Sequence, residues 1–134
     1  FSDPVQELNV TDGREGYLEM EGIYRVKGKN SVTWANTYFH ELNAIQELKV
    51  DVLEAGEYAV TLRALGVPAE TRIRFKAGAS GNEVDLVQGK KFHPMGRVRL
   101  DAGEQTFAFT LLETADLKKV SKMGLYSLSL KKLN

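Results

Sequence analysis

The chain has 134 residues, 43% of them apolar and 27% charged, which are the proportions of an ordinary folded domain. Eighteen Lys and Arg cancel eighteen Asp and Glu, so no overall field draws in nucleic acid or an anionic membrane surface. The lack of Cys removes disulfides, thiol catalysis and thiolate metal sites, and no apolar run nears the roughly 20 residues of a membrane span.

Residues 1–134 read as one domain, able to bury roughly two thirds of its unfolded surface. Residues 1–16 read as a leading segment, a linker or edge strand from a larger parent, because the chain opens at Phe1 with neither Met nor a signal-like run. The stretch "GYLEMEGIYRV" (16–26) is strand-like, and "KGKN" (27–30) is a turn. "TYFHEL" (37–42) fits one helical turn. Leu48, Val50 and Val52 then alternate with Lys49 and Asp51, and Tyr58, Val60 and Leu62 alternate with Thr61 and Arg63. "TRIRFKA" (71–77) and "EVDLV" (83–87) continue the pattern around a turn at "AGASGN" (77–82), with "QGKK" (88–91) as the next turn. Val98 and Leu100, then Phe107, Phe109 and Leu111, alternate again, and "ADLKKVSKM" (115–123) fits about two helical turns before a last strand, "GLYSLSLKKL" (124–133). Some eight short strands of period two, each with one wet face, describe an all-β, two-sheet antiparallel sandwich of Greek-key or jelly-roll type.

One phrase occurs twice: "LEAGEYAVTL" (53–62) and "LDAGEQTFAFTL" (100–111). Gly56 and Gly103 hold equivalent places, which predicts two hairpin turns with positive φ at both glycines.

Candidate sites are few. Trp34, Tyr38 and Phe39, with Asn36 and His40, form an aromatic stretch that either stacks sugar rings or caps the core. In "GKKFHPMG" (89–96) the proline extends the preceding residues, which presents Phe92 and His93 outward unless the segment merely connects strands. Glu19 and Glu21 share one face of the first strand, suited to acid/base work, a hard cation or plain solvation. Arg72, Arg74 and Lys76 line another face without interleaved aromatics, so acids such as Asp51, Glu54 or Asp85 across the strands are their expected partners. Two His, no Gly-x-Ser-x-Gly and no phosphate loop before a helix leave no catalytic constellation to assemble. No enzyme activity and no cofactor are expected.

Together, "LEMEG" (18–22), "AGEYAVTLRA" (55–64) and "VRLDAGEQTFAFTL" (98–111) resemble the galactose-binding-like jelly rolls, above all carbohydrate-binding modules of families 6 and 35. The resemblance spans most of residues 17–131. It implies a non-catalytic module that binds polysaccharide or glycan beside the catalytic domain of a secreted, periplasmic or cell-surface glycoside hydrolase or related polysaccharide-processing enzyme. It places ligand contacts at Trp34, Asn36, Tyr38, Phe92 and His93. It also implies a structural Ca²⁺ held partly by Glu19 and Glu21. Where such modules complete that site with an Asp in the final strand, this chain carries Tyr126, so it is expected to fold without a tight calcium site. The alternative reading is a structural, interdomain sandwich with no ligand of its own.

Overall fold

A computed structural model describes residues 4–20, 23–32 and 37–133. Numbered along the chain, twelve strands and one helical turn occur among them. Sheet A runs in the order β1 (Gln6–Leu8), β6 (Ile45–Val52), β11 (Gly103–Glu113), β8 (Thr71–Ala77), β9 (Ser80–Leu86), and β3 (Ile23–Lys27) also pairs with β6. Sheet B runs in the order β10 (Phe92–Leu100), β7 (Gly56–Leu65), β12 (Gly124–Lys132), β5 (Thr37–Phe39), β4 (Asn30–Val32), and β2 (Glu15–Glu19) also pairs with β12. All pairings are antiparallel except β1 with β6. This is the expected two-sheet sandwich.

The alternation decides which face is dry. On β7, Tyr58, Val60, Leu62 and Ala64 are buried while Thr61 and Arg63 face out. From sheet A come Phe75, Phe107 and Phe109, the first packed edge-on to Phe107 at 5.7 Å and tilted against Phe109 at 5.1 Å. Burying three such rings contributes on the order of 2–3 kcal/mol each.

The twin phrases are not hairpins. β6 lies in sheet A and β7 in sheet B, and β10 lies in sheet B and β11 in sheet A, so each phrase carries the chain across the sandwich. The two corners sit side by side: Gly56 pairs with Leu100 in one sheet and Val52 with Gly103 in the other. Both close in the same way. The Tyr58 hydroxyl donates to the Glu54 carbonyl at 2.5 Å, and the equivalent Gln105 amide donates to the Asp101 carbonyl at 3.3 Å. Only Gly103 needs the left-handed region, at φ 110°; Gly56 runs as ordinary strand.

Other expectations need correction. The stretch 16–26 is not one strand but β2 and β3 in opposite sheets, with Met20 buried before the crossing. "TYFHEL" holds strand β5, because Phe39 is a core residue and tertiary packing overrides a single turn's worth of helical spacing. "ADLKKVSKM" yields only one turn, α1 (Leu117–Val120), whose first amides bond the Asp116 side chain. "AGASGN" narrows to a turn at Gly78 and Ala79, since β9 already begins at Ser80. Arg72 meets Asp85 at 2.8 Å, directly across the β8–β9 pair, and Arg74 meets Glu83 at 3.5 Å.

Side chains tie the open flanks of the sandwich together. Asn82 on β9 donates to the carbonyls of Met95 (3.0 Å) and Arg97 (3.3 Å) on β10, at a bulge where Gly96 adopts φ 87°. On the other flank the Gln6 amide donates to the Glu19 carbonyl (2.6 Å) and accepts from the Glu19 amide (2.9 Å). That amide holds β2 in place as another strand would.

Candidate functional site

The outer face of sheet B carries an open cleft of about 400 Å³, lined by Tyr17, Thr61, Arg63, Lys91, Phe92, Ser127 and Ser129. Strand register explains why these residues meet. Glu19, Ser127, Arg63 and Phe92 form one rung across β2, β12, β7 and β10, and Tyr17, Ser129, Thr61 and Pro94 form the next. Three strand spacings separate β2 from β10, or about 14 Å. At the two sides stand Tyr17 and Phe92, 64% and 61% exposed. Large aromatics so open to water mark a surface built to be covered.

Between them the floor is hydroxylic and cationic. A bulge at Tyr126, seen as a register shift between Leu125 and Ser127, turns its ring outward. The Arg63 guanidinium carbon lies over that ring, 5.3 Å from its centroid, within reach of a cation–π attraction. The Tyr17 hydroxyl donates to Glu15 Oε2 at 2.9 Å, and this hydrogen bond to a carboxylate raises the phenol's pKa above 10.0.

Of the residues expected from sequence, Phe92 lines the cleft. His93 does not, and the expectation that it points outward is wrong. It alternates inward from Phe92 and is 2% exposed. Its Nδ1 accepts from the Val87 amide (3.5 Å) and its Nε2 donates to the Lys90 carbonyl (3.0 Å). Burial pushes its pKa below 6.5, which favours this neutral form. His93 thus latches the turn that carries Lys91 and Phe92. Tyr38 is half-buried on β5, opposite in direction to buried Phe39, and is not part of the cleft's lining. Trp34, Asn36 and Glu21 lie outside the described residues.

Glu19 is exposed on β2, across from Ser127. Among the described residues no group of three or more His, Asp or Glu gathers, and Tyr126, where an Asp would complete a calcium site, lies beneath a guanidinium. A second groove, on the outer face of β8 and β9, is lined by Arg74, Lys76, Gly81, Asn82 and Glu83, with Arg74 paired to Glu83 within it.

Tyr17, Thr61, Arg63, Lys91, Ser127 and Ser129 were missed from sequence. The signal was present in part, as outward positions of the alternating runs 58–64 and 124–132. Which outward positions become neighbours depends on strand order, which the alternation does not encode.

Neither family models nor curated proteins match the chain. Solved structures do. The GH26-CBM35 β-(1,4)-mannanase of Podospora anserina superposes with a TM-score of 0.68 at 16% identity, over 91% of this chain and 28% of that one. The C-terminal CBM6 of a laminarinase, LamC, from Zobellia galactanivorans gives 0.66 at 10% identity, over 89% and 100%. A Cry1Da core variant of Bacillus thuringiensis gives 0.68 at 10% identity, over 98% and 25%. The chain therefore shares the two-sheet β-sandwich fold of these family 35 and family 6 carbohydrate-binding modules. This chain spans 28% of the mannanase and the whole of the CBM6 domain.

Proposed function

We propose that the chain is a non-catalytic carbohydrate-binding module that takes polysaccharide across the outer face of sheet B. One observation carries this reading: Tyr17 and Phe92 stand exposed at either side of a cleft floored by Thr61, Ser127 and Ser129. Pyranose C–H faces pack on aromatic rings, and the three hydroxyls both donate and accept toward sugar hydroxyls. Such a module serves beside the catalytic domain of a secreted polysaccharide-processing enzyme, raising its local concentration on an insoluble substrate. Trp34, Asn36 and Tyr38 remain proposed ligand contacts, read out by Trp34 emission on adding polysaccharide.

The test is gel retardation on a polysaccharide panel, followed by calorimetric titration. Phe92→Ala should weaken binding about tenfold or more, or about 1.4 kcal/mol, with an unchanged melting midpoint because the ring is exposed. Retention on no polysaccharide would overturn the reading in favour of an interdomain structural role.

A further inference from the structure

We propose that the cleft is gated by pH: a proton on His93 releases the turn 87–91, displaces Lys91 and Phe92, and weakens binding in mildly acidic medium. The inference rests on the polysaccharide reading above and adds its regulation. His93 touches no ligand and acts as a positioning residue.

The turn is exposed along its whole length. Among the described residues it closes on itself through the Lys90 amide and the Val87 carbonyl (3.1 Å), and the Lys91 carbonyl accepts from the Ala64 amide (2.8 Å). Its other two tethers end on one imidazole: the Val87 amide donates to His93 Nδ1, and His93 Nε2 donates to the Lys90 carbonyl. A ring that accepts at one nitrogen and donates at the other is neutral. A second proton lands on Nδ1 and faces the Val87 N–H donor to donor, so one tether is lost.

The surroundings offer no counter-ion for that charge. From the turn itself the Lys90 ammonium acts on the ring, and from β7 its cross-strand neighbour is Leu62. β9 ends in buried Leu86, and the last carboxylate before it, Asp85, is held by Arg72. The segment from α1 to β12 adds Lys119 and Lys122 behind the turn. An imidazolium 2% exposed and without a carboxylate has to reach water. The turn has room to yield. A recess of about 390 Å³ lies behind it, lined by its own Gln88 and Gly89 and by Val67, Pro68, Lys119 and Lys122, and shares no lining residue with the cleft. The proton therefore binds the open turn better than the closed one. Lowering pH populates the open form, and a polysaccharide that needs Phe92 in place meets fewer competent molecules.

The test follows wild type, His93→Gln and Lys90→Gln from about pH 7.5 to 5. Its probes are a panel of neutral polysaccharides, galactomannan, laminarin and arabinoxylan, which carry no titrating group. Calorimetric titration reads binding, and NMR reads the His93 ring and the Val87 and Lys91 amides without ligand. Wild-type affinity should fall about threefold or more over this range, by at most about tenfold per pH unit, and recover on neutralisation. The two amides should titrate together with the ring. Lys90→Gln removes the repelling ammonium and should move both curves to higher pH. His93→Gln keeps a donor for the Lys90 carbonyl but cannot titrate, so it should flatten both. Equal acid weakening in wild type and His93→Gln, or amides that stay still while the ring titrates, overturns the gate and leaves the polysaccharide reading standing. Ring and amides moving together while no polymer of the panel binds at any pH supports the opening of the turn and overturns the polysaccharide reading instead.

Discussion

His93 should couple stability to the cleft without touching a ligand. In His93→Ala the Lys90 carbonyl loses its 3.0 Å donor, about 1 kcal/mol for one net hydrogen bond. Removing a ring that is 2% exposed adds about 1–2 kcal/mol of lost burial and packing. The sum is about 2–3 kcal/mol, or roughly 6–12 °C in the melting midpoint of a chain this size. The pH arm has a definite sign. Burial lowers the folded imidazole's pKa below 6.5, so the unfolded chain binds more protons in the window beneath that value. Wild-type stability is then full above pH 6.5 and falls as pH drops through the window. Calorimetric melting across mildly acidic to neutral pH checks both arms, with polysaccharide titration alongside. Affinity should fall in His93→Ala, because the turn 87–90 no longer holds Lys91 and Phe92, and His93→Gln should recover part of it. A variant as stable as wild type, with the same acid-side slope, would refute the latch.

Three further outcomes are expected. Gly96→Ala forces a side chain into φ 87° with its Cβ 2.8 Å from Asn82 Nδ2, so urea unfolding should show a loss of about 1–2 kcal/mol. Lys132 is buried and paired with Asp12 and Glu54, and the Asp12 hydrogen bond raises its pKa above 10.5; its contribution is complete below pH 10.5 and disappears as pH climbs through the folded value. Lys132→Met should accordingly flatten the alkaline limb of the stability profile. Calcium followed by chelator should move the melting midpoint by less than about 1 °C, since a ligand that binds only the folded state must raise it; a rise of several degrees, abolished by Glu21→Gln, would show a calcium site.

Local chemistry alone determined much of this protein. Alternation marked β6, β7, β8, β10, β11 and β12 as strands and told inward residues such as Phe75 and Leu62 from outward ones such as Arg74 and Arg63, because side chains on a strand point to opposite faces at every step. The exposed aromatic Phe92 was also legible, since it stood in a polar turn before a proline. What no local rule contained was which strand lies beside which. The twin phrases read as hairpins because a corner within a sheet and a corner between sheets use the same short, glycine-bearing residues; only packing of the two dry faces decides between them. His93 was misplaced for a related reason, as one step of alternation from Phe92 separates a ligand contact from a buried latch. The cleft itself is a product of strand order. Tyr17 and Phe92 are separated by most of the chain, and they come to one face only because β12 and β7 pair in the middle of sheet B, a choice made by burial of the whole core and not by any segment of it.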